Sequence, residues 1–323
     1  MCIRDRVSCD DDINDRNTRS EITRRLIGGQ EYYIQVGGAG GQSGNLRLSI
    51  TSPARPDVGC DIDNDDRGDL LTGNPREDVD GRRDAGEALL FFGRKRVRPA
   101  KVTSITQEWP RVRGASERGD LFAAAVACGD FDGDGFDDIA IGGPGEGIGD
   151  KSKVGAVRVL RGSADGVSET GVLTLTQGRP GVRGKNRTND RFGNALAVGD
   201  MNGDGYDDLI VGVMGKRVKG QPGSGAVQIF HGTASGLNPT TATLINGNSP
   251  GLPNRAERDD AFGAALTTGD FDGDGFDDVA IAAPGEAIAG AAGAGAVFVL
   301  HGSPAGVTTR DSVVLHQRRP GIK

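Results

Sequence analysis

Four acidic side chains at odd spacing in a nine-residue turn are the residues of this chain best suited to chemistry. Asp270-Phe-Asp-Gly-Asp-Gly-Phe-Asp-Asp278 places Asp270, Asp272, Asp274 and Asp278 at positions 1, 3, 5 and 9. Gly273 and Gly275 let the backbone fold tightly enough to bring those oxygens to one point. A hard cation such as calcium takes six to eight oxygens at about 2.3–2.6 Å, and the carbonyl of Phe276 at position 7 adds to the set. The same nonapeptide begins at Asp130, with Asp132, Asp134 and Asp138 as side-chain ligands and Phe136 as carbonyl donor. A near copy stands 70 residues further on, with Asp200, Asn202, Asp204, Tyr206 (carbonyl) and Asp208. A worn copy has Asp61, Asp63, Asp65, Arg67 (carbonyl) and Asp69, with Asp66 where the others have glycine, so its turn is expected to be strained. The expectation is three calcium sites and a fourth, degenerate one. Asn202 removes a charge, so the third repeat's loop should bind most weakly of the intact three.

These loops are not EF-hands. An EF-hand needs a glutamate at position 12 and flanking helices. Position 12 is Ile141, Val211 and Ile281, each inside a short β-branched apolar run that reads as a buried strand. The loops therefore join strands. Carboxylates this close repel one another by roughly 1 kcal/mol per pair even in a watery setting. Such an ion would be structural, pinning the hairpin between two strands.

The elements that position the loops recur with the same period of 70. Asp190-Arg-Phe-Gly-Asn-Ala-Leu-Ala-Val-Gly-Asp200 matches Asp260-Ala-Phe-Gly-Ala-Ala-Leu-Thr-Thr-Gly-Asp270. Gly225-Ala-Val-Gln-Ile-Phe-His-Gly232 matches Gly295-Ala-Val-Phe-Val-Leu-His-Gly302, and further apolar segments close each unit. Four short strands per unit, repeated at fixed spacing, predict an all-β fold, a β-propeller of four-stranded antiparallel blades. Solenoid repeats are shorter, about 20–45 residues.

Phe192-Gly193 and Phe262-Gly263, the acidic loop, and Gly143-Pro144 or Ala283-Pro284 resemble the FG-GAP repeat of the integrin α-chain β-propeller and of glycosylphosphatidylinositol-specific phospholipase D. The resemblance covers about residues 57–323, as repeats of about 57–119, 120–189, 190–259 and 260–323. It implies a ring of usually seven blades, of which four are present, and calcium loops on the face opposite the main ligand surface. Departures are Phe122-Ala123 for Phe-Gly, Val213-Met214 for Ala-Pro, and a first unit without the Phe-Gly strand. The chain is read as an incomplete ring, cut at both ends.

Ahead of the repeats, residues 7–53 read differently. Glu31-Tyr-Tyr-Ile-Gln-Val-Gly-Gly38 and Asn45-Leu-Arg-Leu-Ser-Ile50 alternate as a hairpin would. This stretch resembles the C-terminal half of the bacterial pre-peptidase C-terminal domain, a small β-sandwich appended to secreted enzymes. Residues 1–6 read as a non-native leader, and Thr51-Ser-Pro-Ala-Arg-Pro56 as an extended linker.

Composition narrows the functions. The formal net charge of −7 sits largely in the four loops and argues against nucleic acid, which asks for basic patches. No apolar run reaches about 18 residues, so no transmembrane segment is expected. No GxSxG, HExxH or P-loop occurs, and the repeat-equivalent His231 and His301 are assigned to strand ends before glycine rather than to catalysis. Arg67-Gly-Asp69 and Arg118-Gly-Asp120 are read as chance tripeptides. Without a CxxC pair a zinc site is not expected; Cys60 and Cys128 are read as buried free thiols, with disulfides left open for an oxidising compartment. The sequence thus points to an extracellular, calcium-stabilised, non-enzymatic binding or adhesion module for a protein or glycan ligand. The alternative is the non-catalytic accessory region of a secreted hydrolase.

Overall fold

The computed structural model describes residues 60–93, 102–110, 112, 114–253 and 255–319, together with two short strands nearer the N-terminus. The chain divides into two compact units, Met1–Asp57 and Val58–Lys323. In the first, β1 (Cys2–Ile3) pairs antiparallel with β2 (Ile34–Gln35). The expected hairpin, the pre-peptidase-like domain and Cys9 otherwise lie outside the described residues.

The second unit is a series of antiparallel sheets in sequence order. β3 (Leu70–Asn74), β4 (Glu87–Phe91) and β5 (Val102–Ile105) form the first sheet. β6 (Ala125–Gly129), β7 (Asp138–Gly143), β8 (Ala156–Leu160) and β9 (Leu173–Leu175) form the second. The third holds β10 (Phe192–Gly199), β11 (Asp208–Val213), β12 (Val227–His231) and β13 (Asn238–Ile245). The fourth holds β14 (Leu266–Gly269), β15 (Asp278–Ala283), β16 (Ala296–His301) and β17 (Thr308–Leu315). This is the β-propeller expected from the period. The first sheet has three strands among the described residues, and the stretch before its acidic loop, where the other repeats have the Phe-Gly strand, lies outside them.

Sheets stack face to face, so the middle strands are covered on both sides. That is why β7 and β11 read as continuous apolar runs and are buried along their whole length. Alternation sends Ile139 and Ile141 into the core shared with the first sheet and Ala140 into the core shared with the third. Leu209, Val211 and Val213 likewise face the second sheet, and Ile210 the fourth.

The aromatic residue of each Phe-Gly pair is the wedge between neighbours. Phe122, Phe192 and Phe262 are fully buried, and their N–H groups donate to Ala85, Val154 and Ser224 carbonyls of the preceding repeat at 2.9–3.1 Å. Phe192 meets Phe230 edge-on at 6.2 Å, and Phe262 meets Phe298 at 5.2 Å. The backbone of the preceding repeat must come close to accept them. At Gly225, with φ +81°, a Cβ would stand 2.2 Å from the Phe262 carbonyl oxygen. Where the second repeat has Ala123 instead of glycine, the structure still holds a left-handed φ of 63°, so that departure is carried as strain.

One expectation is corrected here. Cys60 and Cys128 are joined in a disulfide. Cys60 occupies the place of Gly129 in the next repeat, and Cys128 the place of Val198. In the next joint a Cβ on Gly129 would lie 2.4 Å from Val198 Cγ1, so these two positions touch across neighbouring sheets. A cysteine at each becomes a covalent staple between the first and second repeats.

Candidate metal loops

The loops at residues 130–138, 200–208 and 270–278 each connect the first strand of a sheet to its second, the loop at 61–69 leads into β3, and antiparallel pairing puts the loops at one end of the sheets. The first acid folds the turn around itself. Asp270 Oδ1 accepts N–H bonds from Gly273 (2.7 Å) and Asp274 (3.1 Å), and its Oδ2 accepts one from Gly275 (3.1 Å). Asp200 does the same with Gly203, Asp204 and Gly205 at 2.7–3.2 Å. The fifth-position acid accepts the N–H of position 7 at 3.0 Å in three loops, from Phe136, Tyr206 and Phe276. The ninth-position acid, at the start of the strand that follows the loop, ties the loop to the turn after the next strand. Asp69, Asp138, Asp208 and Asp278 accept N–H bonds from Gly93, Gly162, Gly232 and Gly302 at 2.8–3.0 Å.

These bonds gather the acids. Ligand atoms of Asp130, Asp132 and Asp134 lie within 4.8 Å of one another, as do those of Asp270, Asp272 and Asp274, and those of Asp61, Asp63 and Asp69. A further group joins Asp272, Asp278 and His301. In the third loop Asn202 Nδ2 donates to Asp204 Oδ2 at 3.0 Å, so the amide spans what would be a charge repulsion. Burial raises the carboxyls of Asp63, Asp69 and Asp130, and carries that of Asp138 to about 7. Asp130 Oδ1, Asp63 Oδ1 and Asp65 Oδ1 are shielded from water and accept no hydrogen bond. The three all-aspartate groups, oxygen-only, crowded and partly unsatisfied, fit a hard divalent cation, which would favour the ionised carboxylates.

The first loop differs. Asn64 and Asp66 hold left-handed φ values of 53° and 64° where the other loops use glycine. Its guanidinium partner comes from within the turn, where Arg67 bonds Asp65.

Basic partners in the other loops were not legible as such. Arg161 Nη1 bonds Asp132 Oδ2, and its repeat equivalents do related work. His231 Nδ1 lies 3.0 Å from Asp208 Oδ2, whose hydrogen bond raises the imidazole pKa. His301 Nδ1 lies 3.2 Å from Asp272 Oδ2 and 3.4 Å from Asp278 Oδ1. The residues assigned to strand ends by sequence therefore face the acids. The aspartates of the two Arg-Gly-Asp tripeptides are also engaged. Asp69 accepts two backbone N–H bonds, from Ile62 and Gly93, and Asp120 is buried, accepting from Glu117 N at 2.7 Å.

Residues 122–160, 192–230 and 262–300 each match the FG-GAP repeat. Integrin alpha-PS2 of Drosophila melanogaster is 33% identical over 229 residues, which are 69% of this chain and 14% of that protein. Together these matches support an FG-GAP β-propeller. Integrin alpha-PS5 of the same organism is 36% identical over 171 residues, 52% of this chain and 15% of its own length. The chain thus spans about one seventh of these relatives. Among solved structures, an exotype rhamnogalacturonan lyase aligns with a TM-score of 0.40 and 16% identity, covering 76% of this chain and 44% of the lyase. Nothing about activity follows from that likeness.

Proposed function

We propose that this FG-GAP propeller is an extracellular binding or adhesion module without catalytic activity, whose blades are pinned by structural calcium in the loops at residues 130–138, 200–208 and 270–278. The loop at residues 61–69 is a degenerate fourth. The observation that carries the reading is the repeated gathering of carboxylate oxygens at one end of the sheets, with shielded oxygens left without donors. The resemblance to integrin α chains supports the binding role. No helix among the described residues is long and apolar enough to cross a membrane.

A protein or glycan ligand would take the opposite end, formed by the loops between second and third strands and between repeats. A cavity of about 710 Å³ opens there, lined by Arg187, Asp190, Arg191, Arg217 and Asp259 among others. Thermal unfolding of the full chain in millimolar calcium against chelator tests the metal. A ligand bound only by the native state stabilises by about 2.7 kcal/mol per site at a hundredfold excess over Kd. Calcium should raise the midpoint, and Asp272→Ala should shrink the rise. A folded sample indifferent to calcium would reduce the loops to plain turns.

A further inference from the structure

Each intact loop ends in two aspartates, and only the second belongs to the ligand pattern. The eighth-position acids, Asp137, Asp207 and Asp277, reach across to the preceding repeat. Asp207 Oδ2 accepts the N–H of Asp130 at 2.8 Å, while Asp207 N donates to the Asp130 carbonyl at 3.1 Å. Asp277 makes the same two bonds to Asp200, at 2.9 and 3.0 Å. Asp137 makes them to Asp61, at 2.7 and 3.1 Å. Neighbouring residues of an extended chain point to opposite faces, so one aspartate serves its own loop and the other the neighbour's. The seventh-position rings reinforce the contact. Tyr206 lies against Gly133 and Phe276 against Gly203, where an added Cβ would stand 2.8 and 2.6 Å from the ring.

Two loops of identical sequence differ in whether a following repeat, with its clamp, packs on them among the described residues. The loop at residues 130–138 is clamped by Asp207; that at 270–278 has no such clamp among the described residues. In the first, Phe131 is fully buried, Asp130 Oδ2 accepts the Gly135 N–H at 3.0 Å, and Asp130 Oδ1 is shielded and without a donor. In the second, Phe271 is 51% exposed. Asp270 accepts three N–H bonds from its own turn, as Asp200 does in a clamped loop, so what separates the two loops is the burial of the second-position side chain. The first repeat has Gly68 at the eighth position, which cannot make the side-chain half of the clamp.

Resting on the cation reading above, we propose that Asp137, Asp207 and Asp277 are positioning residues: each holds the first acid of the preceding repeat's loop where a cation needs it, so that a loop's affinity is set by the repeat that follows. Filling a loop and seating the next blade on it are then one event.

Terbium, a luminescent probe of calcium sites, tests this in the full chain. Asp204→Ala and Asp274→Ala silence two loops and give a parent in which the Tyr206 ring reports the loop at 130–138. Adding Asp207→Ala should weaken terbium binding about tenfold, the worth of one charge-assisted hydrogen bond. Asp207→Asn should restore most of it, because the carboxamide oxygen still accepts the Asp130 N–H. Asp277→Ala removes an equivalent clamp from a silenced loop and should leave the midpoint unchanged. An unaltered midpoint in Asp207→Ala overturns the proposal, and equal weakening by Asp277→Ala overturns it in favour of general loss of stability. A parent that takes up no terbium removes the cation reading, and this one with it.

Discussion

Replacing the Cys60–Cys128 bridge by the packing its neighbours use isolates what the covalent link contributes. The double variant Cys60→Gly, Cys128→Val reproduces the Gly129–Val198 joint of the next pair of repeats. Packing at the site is thereby matched, and what is lost is the restriction on the unfolded chain. The bridge spans 68 residues. In the chain-entropy account a loop of that length is worth about 4.4 kcal/mol at 25 °C. For a domain of this size that corresponds to roughly 10 °C in Tm. Repeats contact only their neighbours, so the loss should concentrate in the first sheet, which has one neighbour among the described sheets and three strands. Urea unfolding of the oxidised protein and of the variant, followed by Trp109 fluorescence, reads that part of the molecule. Stabilities equal to within about 0.5 kcal/mol would refute the reasoning, since they would mean that the link restricts nothing the unfolded chain explores.

Two further outcomes follow from the blade joints. Gly225→Ala should cost roughly 2–4 kcal/mol in denaturant unfolding, combining a left-handed φ with a clash on the Phe262 carbonyl. Gly220→Ala, at φ +90° with open space around it, should cost only the backbone part, and equal losses for the two would contradict the close approach. Burial pushes the Asp120 carboxyl up to about 7 from 3.8. The native state therefore holds that proton more tightly than the unfolded chain does, and the resulting stability is present below about pH 4 and lost as pH rises through about 7. Asp120→Asn cannot ionise and should match the wild type at low pH but exceed it at pH 8, by roughly 4 kcal/mol at most; a difference independent of pH would show that Asp120 does not titrate with folding.

How much of this was legible beforehand follows from distance along the chain. The acids of one loop lie within nine residues, and the strand that each loop opens follows at once. A period of 70 then assigns equivalent elements, so the blades and the Phe-Gly wedges could be read from residue order. What acts between repeats could not. Asp207 meets Asp130 across 77 positions, and the second aspartate of the pair carries no local sign that it faces another loop. His301 reads as a strand-end residue because antiparallel order brings the end of the third strand near the loop before the second but does not say that the side chain turns onto the loop's acids. The cysteines gave a faint signal: their separation of 68 is close to one repeat, which suits contact between neighbouring sheets. Periodicity tells which residues are equivalent. Only the packed sheets decide which face of each meets which face of the next, because that choice is made by side chains filling a shared core and by backbone groups that must find partners once water is excluded.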